Sequence, residues 1–275
     1  MKPDVSIVIV SYNTKDLTLN CIDSVFSGNS YIEKEIIVVD NASSDGTVEA
    51  IRNLKFRNRD SRIEIITNKS NLGFARANNQ GIKTAKGKYI LLLNSDTRIN
   101  KETLRKLLSF ANKKPDAGVI VPKLLNSDGS VQGSVFHFPT IPRAIRQYIL
   151  GYEGILDKYA PPGDKPVTVE VASMAAFLIT PLCLKKVGLL DERYFMYFED
   201  FDYSCRVNEN GLKIYYLPAA EVVHHHGESG KDLADKQNQW RRLITSSKIY
   251  HGIIRHYFIN LIIWLGQKKK KYFFS

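Results

Sequence analysis

Residues 35–47 read EIIVVDNASSDGT, a stretch that changes character after its first half. Ile36–Val39 is apolar at every position, which is typical of a strand buried on both faces of a sheet. Asp, Asn, Ser and Gly follow at once, and a helical pattern runs from Gly46 to Leu54. A buried strand that ends in polar residues and leads into a helix is the repeating unit of an α/β protein.

The same unit recurs on both sides of this stretch. Further strands are predicted at 5–10, 62–67, 88–94 and 117–122, with helices at Thr14–Phe26, Ala75–Ala85 and Lys101–Ala111. This alternation predicts an α/β fold with parallel strands covered on both faces. Ligands of such sheets bind at the carboxyl ends of the strands.

The second half of the chain is less regular. It predicts a short helix near Arg143–Leu150, a strand region at 167–180, a helix from Pro181, a helix from Glu199 and a strand at 213–218. From about Asp232 onward the pattern is helical.

Composition narrows the class of protein. The chain has 275 residues and 44% hydrophobic content, which suits one large globular domain or a domain with an appendage. Its net charge of +11 favours an anionic partner such as a nucleotide, a phospholipid surface or nucleic acid. Three widely spaced cysteines disfavour a disulfide framework and a zinc site, so a reducing cytosol is expected. The short apolar run at 5–10 does not suit a signal peptide, and no transmembrane span is predicted.

Polar residues follow four successive strands: Ser11–Asn13, Asp40–Thr47, the loop at 68–73 and Asn94–Thr97. Any one such loop is explained by turn chemistry alone. Four of them at the edge where ligands bind indicate a site. Neither GxGxxG nor GxxxxGK[ST] occurs at the required place, which argues against a Rossmann dinucleotide site and a P-loop.

Two sequence features offer metal ligands. Asp96 follows the fourth strand and suits a divalent cation, although a residue of Ser95–Thr97 could instead cap the next helix. His224, His225 and His226 follow a strand-like segment, and at most two of them share a face because side chains alternate in extended chain. Their spacing fits no zinc-hydrolase pattern.

Residues 195–206, FMYFEDFDYSCR, hold three carboxylates at a predicted helix start. The helix macrodipole stabilises negative charge there, which explains the cluster structurally. Asp202 also has Arg206 one turn later as an ion-pair partner. Asp200 projects about 100° away from Glu199 and has no such partner on the helix, so it is the strongest candidate for chemistry.

Taken in order, six motifs resemble the family 2 glycosyltransferases with the GT-A fold, and most closely their bacterial rhamnosyltransferase-like members. They are SIVIVSYN, VVDNASSDGT, NLGFARANNQGI, LLLNSDT, DERYFMYFEDFDYSCR and VVHHHG. The resemblance implies a single Rossmann-like mixed sheet flanked by helices. It implies a glycosyltransferase domain at 1–230, with a nucleotide-sugar half (1–122) and an acceptor and catalytic half (123–230), and a helical tail at 231–275.

The resemblance also implies roles for individual residues. Asp40 would bind the pyrimidine base, with Ser11, Asn13, Asn41 and Ser43 near base and ribose, and Arg76 and Asn78 lining the pocket. Asn94, Ser95 and Asp96 occupy the position of the family's DxD motif, with Asp96 and His224 (or His226) binding Mg²⁺ or Mn²⁺. Asp200 would be the catalytic base and Glu199 its fallback. Asn94 departs from the motif, which leaves one carboxylate instead of two.

The implied reaction is inverting, metal-dependent transfer of a sugar from a nucleoside diphosphate sugar to a saccharide or lipid-linked acceptor. dTDP-rhamnose is the first expected donor and UDP-hexoses follow; the enzyme would be cytoplasmic and peripheral to the membrane. Two rival hypotheses remain. A nucleotidyltransferase would need a glycine-rich basic loop after the first strand, and a nucleic-acid-binding protein would need a recognisable binding motif; neither feature occurs in the sequence.

The tail ends in KKKKYFFS after an apolar stretch. As a helix it would align Ile254, Phe258, Leu261, Ile262 and Leu265 on one face. That face either packs on the core or lies against an anionic membrane surface.

Overall fold

The computed structural model describes residues 2–27, 31–58, 62–225 and 236–273 of the chain. Its strands are β1 Val5–Ser11, β2 Lys34–Asp40, β3 Ile63–Thr67, β4 Tyr89–Asn94, β5 Thr97–Ile99, β6 Ala117–Leu125, β7 Val131–Gln132, β8 Val135–Phe136, β9 Val167–Val169, β10 Val171–Ala172, β11 Ala176–Ile179 and β12 Lys213–His224. The helices are α1 Lys15–Phe26, α2 Thr47–Asn58, α3 Phe74–Thr84, α4 Thr103–Lys113, α5 Ile141–Ala144, α6 Pro181–Val187, α7 Glu199–Glu209, α8 Lys236–His251 and α9 Ile253–Phe273. A π-helical turn, Ile145–Ile149, continues α5.

A mixed sheet runs through the molecule in the order β3-β2-β1-β4-β11-β6-β12-β5, with β7 beside β6 and β9 beside β12. The first four strands pair in parallel, as the sequence predicts. Beyond β4 the sheet becomes mixed, because β11 enters antiparallel between β4 and β6. The mixed sheet implied by the family resemblance is confirmed.

Helices cover both faces of the sheet, which explains the unbroken apolar runs. Along β1, Ile7 and Ile9 join the core beneath α1 and α4, whereas Val8 joins the core beneath α3 and α7. Successive side chains of a strand point to opposite faces, so a strand buried on both sides needs an apolar residue at every position.

The strand region predicted at 167–180 is divided among three short strands. β9 pairs with β12, β10 pairs with β8, and β11 joins the centre of the sheet. The helical tail predicted from about Asp232 is confirmed where the chain is described, as α8 and α9 separated by Gly252. No helix of the described ranges is long and apolar enough to cross a bilayer.

Candidate active site

The carboxyl ends of β1, β2 and β4 form an edge that we call the donor edge, comprising residues 11–14, 40–47 and 94–97. Asp40 ends β2 and is only 2% exposed. Its Oδ2 accepts a hydrogen bond from the Ser43 backbone N–H at 3.0 Å. Its Oδ1 is buried and has no hydrogen-bond partner among the described residues. A buried acceptor left without a donor is costly, so this oxygen is suited to a ligand's N–H group.

Asn13 and Ser43 join two loops of the donor edge. The Asn13 N–H donates to Ser43 Oγ at 3.0 Å, and the Ser44 N–H donates to Asn13 Oδ1 at 2.8 Å. Asn13 has φ of 52°, a left-handed conformation that asparagine tolerates better than most residues. The predicted pair therefore lies together beside Asp40.

Two other predicted binding residues are held in the interior. Ser11 is fully buried, and its hydroxyl contacts Thr14 and Thr18 at 3.0 and 2.9 Å. The Asn41 amide donates to Asn71 Oδ1 at 2.8 Å and accepts from the Leu72 N–H at 3.0 Å. These contacts shape the loops that follow β1, β2 and β3.

Arg76 and Asn78 lie on the first turns of α3 but point differently. Arg76 is exposed, and its Nε lies 3.2 Å from a carboxylate oxygen of Glu192. Asn78 is buried, and its amide donates to the Phe74 carbonyl at 2.9 Å. Only Arg76 is therefore accessible in this structure.

Asp96 is placed by a turn between β4 and the short strand β5, which the sequence did not predict. The alternative reading of Ser95–Thr97 as a helix cap is wrong, because α4 begins at Thr103 and Glu102 occupies its N-cap position. Ser95 Oγ accepts from Thr14 Oγ1 at 3.1 Å, and the Thr97 hydroxyl donates to the Asn94 carbonyl at 2.7 Å. The turn thus holds Asp96 at the donor edge.

Asp96 meets His224, the last residue of β12. His224 Nε2 lies 3.4 Å from Asp96 Oδ1, and the two residues are 7% and 1% exposed. A carboxylate and an imidazole suit Mn²⁺ and, less well, Mg²⁺. No group of three or more His, Cys, Asp or Glu side chains that could hold a metal occurs within the described ranges. The donor set fits a cation that takes its other ligands from a diphosphate; His226 lies outside the described residues.

The segment before α7, residues 193–198, is rich in aromatic residues, and we call it the aromatic loop. Tyr197 and Phe198 have φ of 71° and 67°. Two consecutive bulky residues in the left-handed region are strained, and such strain persists only where surrounding contacts enforce it. The loop delivers Glu199 and Asp200 to the start of α7, where the sequence predicted a helix to begin.

Glu199 and Asp200 differ in exposure. Glu199 is buried, and its Oε2 has no hydrogen-bond partner among the described residues. Asp200 is half-buried, and its Oδ1 accepts from the Phe201 N–H at 2.9 Å. Burial raises the pKa of both carboxyl groups, and the neighbouring Asp200 charge adds to the rise at Glu199.

The predicted ion pair between Asp202 and Arg206 is confirmed. Arg206 Nε lies 2.9 Å from Asp202 Oδ2. Arg206 Nη1 also donates to the carbonyls of Val187 and Leu189 at 3.0 Å each, which ties α7 to the end of α6. The ion pair with Arg206 therefore gives Asp202 a structural role.

Helix α8 packs on the aromatic loop, a feature that sequence reasoning missed. The Arg242 guanidinium lies 4.7 Å above the Phe195 ring, and Ser246 Oγ donates to the Met196 carbonyl at 2.8 Å. Tyr250 packs against Phe198 with ring centroids 5.3 Å apart. No spacing in the sequence signals these contacts, because their partners lie about fifty residues apart.

The loop is also held by the residues at the start of α3. The Phe74 N–H donates to the Phe195 carbonyl at 2.7 Å. Gly73, with φ of 85°, lies so close that an added Cβ would be 2.5 Å from the same carbonyl oxygen. A glycine is required here by both backbone conformation and space.

A short segment links the two chemical groups of the site. Gln132 Oε1 lies 2.7 Å from His224 Nδ1, and the Phe136 ring lies 5.0 Å from the Phe201 ring, next to Asp200. Residues 132 and 136 are four positions apart, a length of chain that spans at most about 14 Å, so this segment connects the surroundings of His224 to those of Phe201.

A cavity of about 550 Å³ lies elsewhere, between the start of α5, α7 and α8. It opens on the face of α7 that carries Asp202 and Arg206. No residue predicted to bind donor, metal or acceptor lines it.

Residues 6–169 match the sequence model described as "Glycosyl transferase family 2". Because this match covers more than half of the chain, the protein belongs to that family and is a glycosyltransferase. It is 27% identical over 242 residues to the N-acetylglucosaminyl-diphospho-decaprenol L-rhamnosyltransferase of Mycobacterium tuberculosis, covering 75% of this chain and 76% of that protein. It is 32% identical over 172 residues to the Escherichia coli UDP-Glc:alpha-D-GlcNAc-diphosphoundecaprenol beta-1,3-glucosyltransferase WfaP, covering 58% and 66%.

Solved structures share the fold at low sequence identity. GalNAc-T7, determined with UDP, GalNAc and Mn²⁺, superposes with a TM-score of 0.63 at 18% identity, covering 81% of this chain and 44% of that one. Residues 1–349 of S. aureus TarS in complex with UDP give a TM-score of 0.57 at 17% identity, covering 98% and 72%. The GT-A fold predicted from the motifs is confirmed.

Proposed function

We propose that this glycosyltransferase is an inverting, divalent-metal-dependent enzyme that moves a sugar from a nucleoside diphosphate sugar to a hydroxyl group of a lipid-linked saccharide. The observation that carries the proposal is the meeting of Asp96 and His224 at 3.4 Å, at the end of β12 and the turn after β4. These two side chains offer ligands for a cation, and Asp200 at the start of α7 offers a base for the acceptor hydroxyl group.

Asp40 is the proposed binding partner of the nucleobase of the sugar nucleotide. Its buried Oδ1 would accept a hydrogen bond from N3–H of uracil or thymine. Cytosine carries an acceptor at that position, so a carboxylate discriminates against it. Asn13 and Ser43 would contact the base and ribose, while Ser11, Asn41 and Asn78 support the loop shapes, and Arg76 lines the entrance.

Asp96 and His224 would hold Mg²⁺ or Mn²⁺, and Asn94 and Ser95 complete the turn that presents Asp96. A cation bound there would neutralise charge on the leaving diphosphate. Asn94 stands where the DxD motif has its first acid. The His224 imidazole would therefore contribute more of the metal-binding energy than it would in a site with two carboxylates.

Asp200 is the proposed base. It is half-buried and therefore accessible to an acceptor hydroxyl, and its raised pKa makes it a stronger base than an ordinary aspartate. Glu199 is buried and therefore less accessible. Attack by the deprotonating hydroxyl directly on the anomeric carbon inverts its configuration, because no second carboxylate intervenes as a nucleophile.

Two relatives support the class of acceptor and donor. The mycobacterial protein and WfaP both carry names that specify an N-acetylglucosamine diphospho-polyprenol acceptor. We therefore propose a diphosphate-linked lipid saccharide as acceptor, dTDP-rhamnose as first donor and UDP-hexoses next, in cell-surface polysaccharide synthesis on the cytoplasmic side of the membrane. Residues 1–230 would form the catalytic domain and 231–275 the tail.

The tail is proposed to contact an anionic membrane surface. Ile254, Phe258, Leu261 and Leu265 are all exposed, whereas Ile262 is 5% exposed and packs in the cluster around Ala144 and Ile259. The outward face is thus apolar, and Lys268 lies 4.2 Å above the Trp264 ring at its end. Apolar and aromatic residues beside lysines suit the boundary between headgroups and acyl chains.

Donor turnover tests the reaction. The purified chain would be incubated with dTDP-rhamnose, UDP-glucose, UDP-N-acetylglucosamine and CDP-glycerol, with a polyprenyl diphosphate N-acetylglucosamine acceptor, in Mn²⁺, Mg²⁺ or EDTA. We expect transfer from one of the three nucleoside diphosphate sugars, inverted at the anomeric carbon and lost in EDTA. Transfer unaffected by EDTA or with retention would contradict the mechanism.

Flotation with vesicles containing anionic lipid tests the membrane proposal. Phe258→Glu, on the exposed face, should reduce co-flotation without changing Tm. Ile262→Glu, one turn along on the buried face, should lower Tm instead. Undiminished flotation of Phe258→Glu would remove this face from membrane binding.

A further inference from the structure

A chain of side-chain hydrogen bonds leads from the turn between β6 and β7 to His224. Ser130 Oγ donates to Asp128 Oδ1 at 2.6 Å, and Asn126 Nδ2 donates to Ser130 Oγ at 2.9 Å. Gln132 Nε2 donates to Asn126 Oδ1 at 2.7 Å, and Gln132 Oε1 contacts His224 Nδ1 at 2.7 Å. The four residues that link the turn to His224 all lie in the stretch NSDGSVQ (126–132).

The direction of each hydrogen bond in this chain follows from its first member. A carboxylate accepts only, so the Ser130 hydrogen is directed at Asp128 and the Ser130 oxygen accepts from Asn126. The hydrogen bond from Ser130 also lowers the pKa of Asp128, which keeps it ionised. The Asn126 carbonyl oxygen must then face the amide nitrogen of Gln132.

That orientation leaves Gln132 with its carbonyl oxygen toward the imidazole. A backbone contact supports this orientation, because Gln132 Nε2 also donates to the His224 backbone carbonyl oxygen at 3.4 Å. An oxygen acceptor at Nδ1 stabilises the tautomer that carries its proton on Nδ1. The lone pair of the neutral ring is then on Nε2, the nitrogen that faces Asp96.

We propose that Gln132 is a positioning residue that selects the Nδ1–H tautomer of His224 and so presents Nε2 to a divalent cation beside Asp96. Asn126, Ser130 and Asp128 act through Gln132 by setting its amide orientation. The inference rests on the metal assignment of the proposed function. It assigns a role to the NSDGSVQ turn, which the sequence alone explains only as a turn.

The same turn offers a matched control. Ser127 Oγ lies 2.7 Å from Nδ1 of His225, the neighbouring histidine. Ser127→Ala therefore removes a comparable side-chain hydrogen bond from the same turn without touching Gln132 or His224.

The experiment is a titration of the full chain with Mn²⁺ alone, followed by electron paramagnetic resonance, at one fixed pH for all variants. Gln132→Met keeps the side-chain length and removes the acceptor; we expect it to weaken Mn²⁺ binding about 10- to 100-fold. Gln132→Glu keeps an acceptor oxygen and should bind Mn²⁺ much more tightly than Gln132→Met. Ser127→Ala should match the wild type.

Long-range ¹H–¹⁵N correlation spectra of the metal-free protein give a readout independent of the metal. His224 should be the Nδ1–H tautomer in the wild type and in Gln132→Glu, and should shift toward the Nε2–H tautomer in Gln132→Met. Wild-type Mn²⁺ affinity and an unchanged tautomer in Gln132→Met would overturn the proposal. If His224→Ala also binds Mn²⁺ like the wild type, the metal assignment itself is wrong, and this inference falls with it.

Discussion

The donor edge and the aromatic loop are constructed in different ways. At the donor edge, the strand-end loops hold one another through side-chain hydrogen bonds, as in the contacts of Asn13 with Ser43 and Ser44, while Asp40 Oδ1 is left for a ligand. The aromatic loop is strained at Tyr197 and Phe198, and contacts from the start of α3 and from α8 hold it. The comparison teaches that binding rests on a locally stable edge, whereas the proposed base rests on a loop enforced from two sides.

The largest expected effect tests whether the loop delivers chemistry. Asp200→Asn preserves shape and removes the base, so we expect kcat to fall about 10²- to 10⁴-fold with donor affinity nearly unchanged. The measurement is steady-state transfer together with calorimetric titration of the donor nucleotide. Asp202→Asn, on the same turn, is the matched control: losing its bond to Arg206 should lower stability by about 1–2 kcal/mol with little change in kcat. Activity near that of the wild type in Asp200→Asn would remove Asp200 from the mechanism.

A glycine substitution tests the contact that holds the aromatic loop against the start of α3. Gly73→Ala places a Cβ against the Phe195 carbonyl and strains a backbone with φ of 85°. Because backbone cannot move as easily as a flexible side chain, we expect a loss of stability above about 2 kcal/mol and a displaced aromatic loop.

Gly211→Ala is the control for backbone strain alone, since Gly211 has φ of 69° with open space around it. It should lower the free energy of unfolding by about 1 kcal/mol, as measured by chemical denaturation. Equal costs for the two variants would show that the contact with Phe195 is unimportant.

At the donor edge, Asp40→Ala is expected to weaken UDP binding about 10- to 100-fold by removing the acceptor for N3–H. The affinity for CDP should fall much less, so the preference for UDP over CDP should become smaller. Calorimetric titration of both nucleotides measures this preference. A parallel loss for UDP and CDP would show that Asp40 supports the loop and does not read the base.

The smallest expected effect concerns stability against pH. The pKa of Glu199 is raised in the folded protein. At pH values above the ordinary pKa of a glutamate, the folded protein therefore binds more protons at this site than the unfolded chain does. Folding is therefore favoured at low pH, and that contribution is lost as pH rises through the raised value.

Glu199→Gln removes this dependence. We expect its Tm to exceed that of the wild type by a few degrees at alkaline pH, with the difference shrinking toward acidic pH. Thermal unfolding across that range is the measurement. A constant difference in Tm would contradict the burial effect at Glu199.

Much of the donor edge could be predicted from the sequence because it depends on local order. Apolar runs mark β1, β2 and β4 as buried strands, and the polar residues that follow must meet at one edge of a parallel sheet. The pairing of Asp202 with Arg206 was predictable for the same reason, since helical geometry places residues four apart on one face.

The sequence by itself determined the α/β architecture of the first half, the carboxylates at the start of α7 and the family to which the chain belongs. Only the tertiary structure decided that β11 enters antiparallel between β4 and β6, that α8 packs on the aromatic loop, and that Gln132 faces His224. These contacts join residues about fifty to ninety positions apart, and no periodicity of strand or helix encodes a contact at such a distance. They form because the folded sheet brings the ends of remote segments together, where each buried polar group must find a partner.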